Sequence, residues 1–324
     1  MKVLVTGAAG FIGHHVTEFL LEHTDWDLVL IDRLDISGNL NRLAEIGAAK
    51  NPRVKFFYHD LRAPFNELMI KQIGHVDYFV HMAAGSHVDR SIEAPMEFVM
   101  DNVVATCNLL ELARKNGCKK FMYFGTDEVF GPAPPGVRFK EYDRYNSSSP
   151  YSATKAGAEE LCVAYANTYK LPVQIVHVMN VLGYRQHPEK FLPMLISKIE
   201  RGELIKIHGT ACGEEAGTRF YIDARDVADA VLMLLKSDSY GKFNVVGERE
   251  TGNLELACWV AKEMDMSFQY TIVDAQKARP GHDLRYAMDG GLLLERFGWQ
   301  PKVAIQDRVN EIVQWTLSNR QWLL

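Results

Sequence analysis

Short apolar runs alternate with longer stretches in which apolar side chains recur every third or fourth position. The runs at 2–6, 27–31, 54–58, 78–81, 121–124 and 173–178 read as strands. Between the first two, Ile12, Val16, Phe19 and Leu20 fall at i, i+4, i+7 and i+8, which is one face of a helix. Further helical patterns cover about residues 96–115 and a stretch opening near Pro150. Alternation of this kind predicts an α/β fold, a doubly wound parallel sheet with helices on both faces.

Beyond Asn180 the pattern loosens. A helix is expected at 191–201, a strand at 204–208, a helix at 225–236 and a strand at 242–246 that returns to the main sheet. Two or three helices follow from about 254. The expected organisation is a nucleotide-binding domain over 1–180, with a return of the chain at about 218–250, and a smaller C-terminal α/β lobe over 181–324. A cleft between them is the natural ligand site.

The 324 residues suffice for two such lobes, and the composition (47% hydrophobic, 24% charged) is that of an ordinary globular chain. The net charge of −5, without a basic block, argues against a nucleic-acid partner. The five cysteines are scattered and odd in number, which fits thiols in a reducing, cytoplasmic setting rather than a disulfide framework. No apolar run is long enough for a membrane span. No cluster of His, Cys and acids suggests a metal; His14 and His15 read as packing or surface groups.

Chemistry first appears at Gly7-Ala8-Ala9-Gly10-Phe11-Ile12-Gly13, between the first strand and the first helix. Gly7 permits a tight turn, Gly10 lets backbone approach a pyrophosphate, and Gly13 lets helix and strand pack closely. The helix N-terminus offers free N–H groups to the phosphates. Asp32 ends the second strand, where a carboxylate accepts hydrogen bonds from the adenosine ribose and repels a 2′-phosphate. This Rossmann-type signature predicts NAD as cofactor rather than NADP, a preference that the neighbouring Arg33 weakens slightly.

Thr126-Asp127-Glu128 follows the fifth strand, and Tyr151-Ser152-Ala153-Thr154-Lys155 opens a later helix. Tyr and Lys four apart share a helix face and form a unit able to move a hydroxyl proton. Two further carboxyl groups supply a second acid and base, which suggests oxidation coupled to loss of water. Ser86-His87-Val88-Asp89-Arg90-Ser91, Pro188-Glu189-Lys190 and Arg279-Pro280-Gly281-His282-Asp283-Leu284-Arg285 join these motifs.

Together they resemble the nucleotide-sugar 4,6-dehydratases of the extended short-chain dehydrogenase/reductase family, over nearly the whole chain. The resemblance implies C4 oxidation of dTDP-glucose or UDP-glucose, loss of water across C5–C6 and hydride return to C6. It implies Tyr151 as base at the 4-hydroxyl, with Lys155 and Thr126 assisting, Glu128 as base at C5 and Asp127 as acid at the 6-hydroxyl. It assigns Gly7, Gly10, Phe11, Ile12, Gly13, Asp32, Asp60, Leu61, Ala83, Ala84, Tyr151 and Lys155 to NAD. Ser86, Thr126, Asn180, Lys190, Phe191, Arg219, Asn244 and Arg285 go to the nucleotide sugar, with His282 a weaker candidate. It also implies a homodimer in which helices near 96–115 and 151–169 pair into a four-helix bundle. Gly85 stands where the family usually carries an acid; His208, where a Tyr is common, and the long loop over 208–219 leave the nucleobase open between dTDP, UDP or another. Two other enzyme readings share the scaffold, a 4-epimerase and a UDP-glucuronate decarboxylase; Asp127 separates them from the dehydratases. A non-catalytic NAD-binding sensor is the remaining alternative.

Overall fold

The computed structural model describes residues 1–278 and 283–324; His282 lies outside them. Six of the strands stand where the apolar runs place them: β1 (Lys2–Thr6), β2 (Asp27–Asp32), β3 (Val54–Tyr58), β4 (Tyr78–His81), β5 (Lys120–Thr126) and β6 (Val173–Val178). The strand Gly241–Val245 returns to the same sheet, whose order is Gly241–Val245, β6, β5, β4, β1, β2, β3. The pairs β1–β2, β1–β4, β2–β3 and β4–β5 are all parallel. Every residue of β4 and β6 is buried, as expected of strands covered on both faces. Leu4, Val29, Ile31, Phe79 and Phe121 pack with Leu109, Leu110, Ala158 and Cys162 from the covering helices. Each such side chain contributes about 1.5–3 kcal/mol when fully buried.

Winding runs outward from β1 through β2 and β3, then restarts beside β1 at β4 and continues through β5 and β6. The point where direction reverses therefore lies between β1 and β4, at whose carboxyl ends ligands bind in sheets of this type.

The chain divides into two compact units. The first comprises Met1–Val129, Ser149–His177 and Val227–Phe243; the second comprises Phe130–Ser148, Val178–Asp226 and Asn244–Leu324. In the second unit, Leu192, Ile196, Leu256, Val260, Val309 and Val313 form a core of their own. Its tail differs from the expectation of helices alone, because Tyr270–Asp274 pairs in parallel with Ile205–Gly209. Thr271, Ile272 and Val273 are β-branched, and their stiff side chains fit a pleated surface better than a helix.

The helix expected at 96–115 is not one regular helix. Pro95–Phe98 is α-helical, Val99–Val104 is a π-helical turn, and Ala105–Asn116 is α-helical again. The wide turn carries Asn102 inward, where its amide accepts from the Gly85 N–H (2.8 Å) and donates to Gly85 O (3.1 Å) and Thr154 Oγ1 (2.9 Å). Periodicity cannot reveal one inserted residue of this sort, and such turns recur at functional sites. No described helix is long and apolar enough to cross a membrane.

Candidate active site

The glycine-rich turn closes against the end of β4. Gly7 has φ of +68°, and a Cβ there would come within 2.8 Å of Ala83 N. A Cβ on Gly13 would lie 2.1 Å from Gly7 O, so any side chain would push the helix α1 (Phe11–His23) off the turn. Gly10 caps that helix with no side-chain hydrogen bond, which leaves the first-turn amides facing outward for an anion. Asp32 is buried and accepts from Ala9 N (2.9 Å) and Leu34 N (2.8 Å). Burial nevertheless raises its pKa above the usual carboxylate value. A glycine cradle, uncapped amides and a fixed carboxylate at the second strand's end together fit a dinucleotide. Phe11 and Ile12 are half-buried at the start of α1, while Asp60 and Leu61 follow β3 and Ala83 and Ala84 follow β4.

Behind Ala83 lies a polar relay that no local spacing in the chain signals. Thr6 Oγ1 accepts from the Met82 and Ala83 N–H groups (3.2 Å each), so its own proton goes to His81 Nδ1 (2.7 Å). His81 Nε2–H then donates to Thr106 Oγ1 (2.9 Å), which donates to Asn102 O (2.5 Å). Complete burial holds His81 neutral, with its pKa depressed to about 3. The relay ties the β4 loop to the π-helical turn.

At the end of β5, Thr126 and Asp127 are buried and Glu128 is half-buried. Thr126 Oγ1 donates to Asp127 Oδ1 (3.1 Å) and accepts from Glu128 N (3.3 Å). The helix Pro150–Tyr169 brings Tyr151 to them. Its start is fixed by a Ser149–Ser152 capping box and by Pro150 in its first turn. Tyr151 N donates to Ser91 Oγ (3.1 Å), and the ring meets Phe98 edge-on at 6.5 Å. Ser91 lies in the motif that begins at Ser86, but nothing in its spacing marks it as the seat of Tyr151. Ser86 itself is exposed.

Burial raises the Tyr151 pKa well above the ordinary phenol value. The Glu128 charge adds to the rise, the hydrogen bond with Thr126 opposes it, and Asp127 raises it further. Tyr151 thus hydrogen-bonds Thr126 and lies within range of the Glu128 and Asp127 charges. Lys155 is buried, donates to Phe124 O (2.5 Å) and sits 4.4 Å above the Tyr123 ring. Burial lowers its pKa to about 8.

The candidates in the second unit are engaged differently. Arg219 is buried; its guanidinium donates to Thr218 O (2.6 Å), Leu284 O (2.6 Å) and Asp283 O (2.7 Å) and covers the Tyr286 ring at 4.6 Å. Asn244 donates to Phe139 O and Asp289 O, both at 3.1 Å. Arg285 pairs with Glu250 (2.7 Å) and donates to Pro134 O and Val137 O. Lys190 and Phe191 open the helix Phe191–Glu200 and are half-buried. Asn180 Oδ1 is buried without a hydrogen-bond partner. Such an atom is costly unless a ligand or water satisfies it.

Comparison with known proteins agrees with this geometry. Residues 4–312 match the family described as GDP-mannose 4,6 dehydratase. The dTDP-glucose 4,6-dehydratase of Escherichia coli is 33% identical over 352 residues, covering 99% of this chain and 95% of that protein. The chain belongs to the nucleotide-sugar 4,6-dehydratase family of extended short-chain dehydrogenases/reductases. Within that family, a dTDP-glucose 4,6-dehydratase of Streptomyces venezuelae, solved with NAD bound, superposes with a TM-score of 0.89. It is 32% identical, over 99% of this chain and 98% of that one. The UDP-glucose 4-epimerase of Thermus thermophilus, in complex with NAD, follows at a TM-score of 0.85 and 28% identity, over 97% and 98%. The 4,6-dehydratases are thus nearer to this chain than that epimerase.

Proposed function

We propose that this protein dehydrates a nucleotide-activated hexose, dTDP-glucose or UDP-glucose, to its 4-keto-6-deoxy form, with NAD as a resident cofactor. The observation that carries the reading is the packing of Thr126, Asp127 and Glu128 against Tyr151 at the end of one strand. An alcohol oxidation needs one base; this site holds a phenol and two carboxyl groups.

The Gly7–Gly13 turn and Asp32 would hold NAD, which would supply the hydride acceptor for C4 oxidation and the hydride donor for C6. Tyr151 takes the 4-hydroxyl proton. Its neutral phenol must first lose a proton; Lys155, one turn further along the same helix, is assigned to assist, with its Nζ held on Phe124 O. Thr126 holds the same hydroxyl. The 4-ketone acidifies the C5 proton, which Glu128 removes, while Asp127 protonates the departing 6-hydroxyl. Asp127 is the more buried of the two acids; its assignment as the acid follows the family resemblance.

Asn180, Lys190 and Phe191 are assigned to the nucleotide sugar; the orphaned Asn180 oxygen supports the first. Arg219, Asn244 and Arg285 shape the loops that carry such contacts. The protein acts as a cytoplasmic homodimer through the helices near 96–115 and 151–169. Exposed Met96 (68%), Met100 (37%) and Tyr169 (51%) support a covered face there, and a monomer by light scattering would refute it.

Mass spectrometry of dTDP-glucose and UDP-glucose, incubated separately with the protein and catalytic NAD+, tests the function. Loss of one water without net NADH is expected. Unchanged mass with altered configuration would replace the reading by a 4-epimerase.

A further inference from the structure

Arg33 follows Asp32 directly, where a cation would ordinarily welcome the 2′-phosphate of NADP. The structure shows what holds it. Leu34 takes a left-handed φ of 55° and turns the chain so that Asp35 faces back to Arg33. Arg33 Nε and Nη2 donate to Asp35 Oδ2 (2.9 and 2.7 Å). From the other side the π-helical turn delivers Asp101, whose two oxygens take Arg33 Nη1 and Nη2, the latter at 2.7 Å. Asp60 stands 3.8 Å from Nη1, and Arg62 pairs with Asp60 and approaches Asp101 to 3.8 Å.

A planar guanidinium gripped bidentately by one carboxylate and by a second on its remaining edge has few donors left for a phosphate. The Asp101 side chain is only 10% exposed and the Arg33 side chain 26%, so water screens this pair weakly. Asp32, Asp35, Asp60 and Asp101 also outnumber Arg33 and Arg62, so the neighbourhood repels a further dianion. Asp101 and Asn102 both lie in the π-helical turn, the first on Arg33 and the second on Gly85.

We infer that Asp101 is a cofactor-specificity residue: by sequestering Arg33 it excludes the 2′-phosphate and makes the site selective for NAD over NADP. The inference rests on the dinucleotide reading of the Gly7–Gly13 turn and adds to the repulsion by Asp32. Asp101→Asn keeps the shape and removes the charge, freeing Arg33.

The test is equilibrium binding of NAD+ and NADP+, read by tryptophan fluorescence or calorimetry, to the wild-type protein, Asp101→Asn and the Arg33→Gln/Asp101→Asn double variant. Asp101→Asn should strengthen NADP+ binding relative to NAD+ by about tenfold, the scale of one charge-assisted phosphate contact. The double variant should return to within about threefold of wild type, because the gain acts through Arg33. Arg33→Gln alone, which keeps Asp101, should leave the NADP+ to NAD+ ratio near wild type and provides a readout should Asp101→Asn fold poorly. A tenfold fall in that ratio for Arg33→Gln would overturn the inference, as would an unchanged ratio in Asp101→Asn. Failure of the wild-type protein to bind either dinucleotide would instead overturn the cofactor reading on which the inference stands.

Discussion

The first unit's proposed acid–base group and the second unit's polar candidates are built in opposite ways. Thr126, Asp127, Glu128 and Tyr151 converge on one another and interact mainly through side chains, at the carboxyl end of a buried parallel strand. Arg219, Asn244 and Arg285 spend their donors on backbone carbonyls of their own unit, and Arg285 also on Glu250. The first arrangement keeps proton-transfer groups in mutual reach at a cost in burial. The second stabilises loops. A polar residue in a motif thus has a reactive or an architectural use, and its partners tell which.

The comparison can be broken most decisively at Tyr151. Tyr151→Phe should lower kcat about 1,000-fold through loss of the base, with the melting temperature nearly unchanged because the ring packing survives. A comparable loss in melting temperature would place Tyr151 with the architectural residues. Asp127→Asn should slow water loss about 100-fold while sparing the first hydride transfer, seen as NADH accumulating in a single turnover. Unchanged dehydration would refute its role as acid.

Arg219→Met should behave in the reverse sense. Three carbonyls lose a charged donor, so urea unfolding should show a loss of about 3 kcal/mol, the same with and without added dTDP. If the change instead weakened dTDP binding and left stability intact, Arg219 would be a ligand residue.

A smaller effect sharpens the distinction within the first unit. His81 has a folded pKa near 3 against a usual value near 6.5, so as pH falls the unfolded chain takes up this proton first. Stability is lost on descending from about 6.5 to 3, amounting to roughly 2 kcal/mol by pH 5. His81→Asn should flatten that part of the stability–pH curve. An unaltered slope would show that other groups set it.

Much of this was legible in the chain because the signals are local. Gly7, Gly10 and Gly13 lie within one turn, Asp127 and Glu128 are adjacent, and Tyr151 and Lys155 share a helix face. The interior strands β1, β4, β5 and β6 are short, almost wholly buried runs, which covering on both faces demands, whereas the edge strand β3 buries only Phe57. The features that escaped depend on distant residues. The π-helical turn at Val99–Val104 satisfies Gly85 and Thr154, and the His81 relay joins Thr6 to Thr106. The strand Tyr270–Asp274 gains its pairing from Ile205–Gly209, far back in the chain. Arg33 in isolation is a mild argument for NADP; its partners Asp35 and Asp101, the second far along the chain, occupy it and reverse that argument.

The most direct test of the central claim uses nucleotide glucose carrying deuterium at C4, with catalytic NAD+ and the wild-type protein. A 4,6-dehydratase yields a product lighter by one water, with the deuterium now at C6 and one solvent hydrogen at C5. A product of unchanged mass, or one that loses water while the deuterium stays at C4, would contradict the claim.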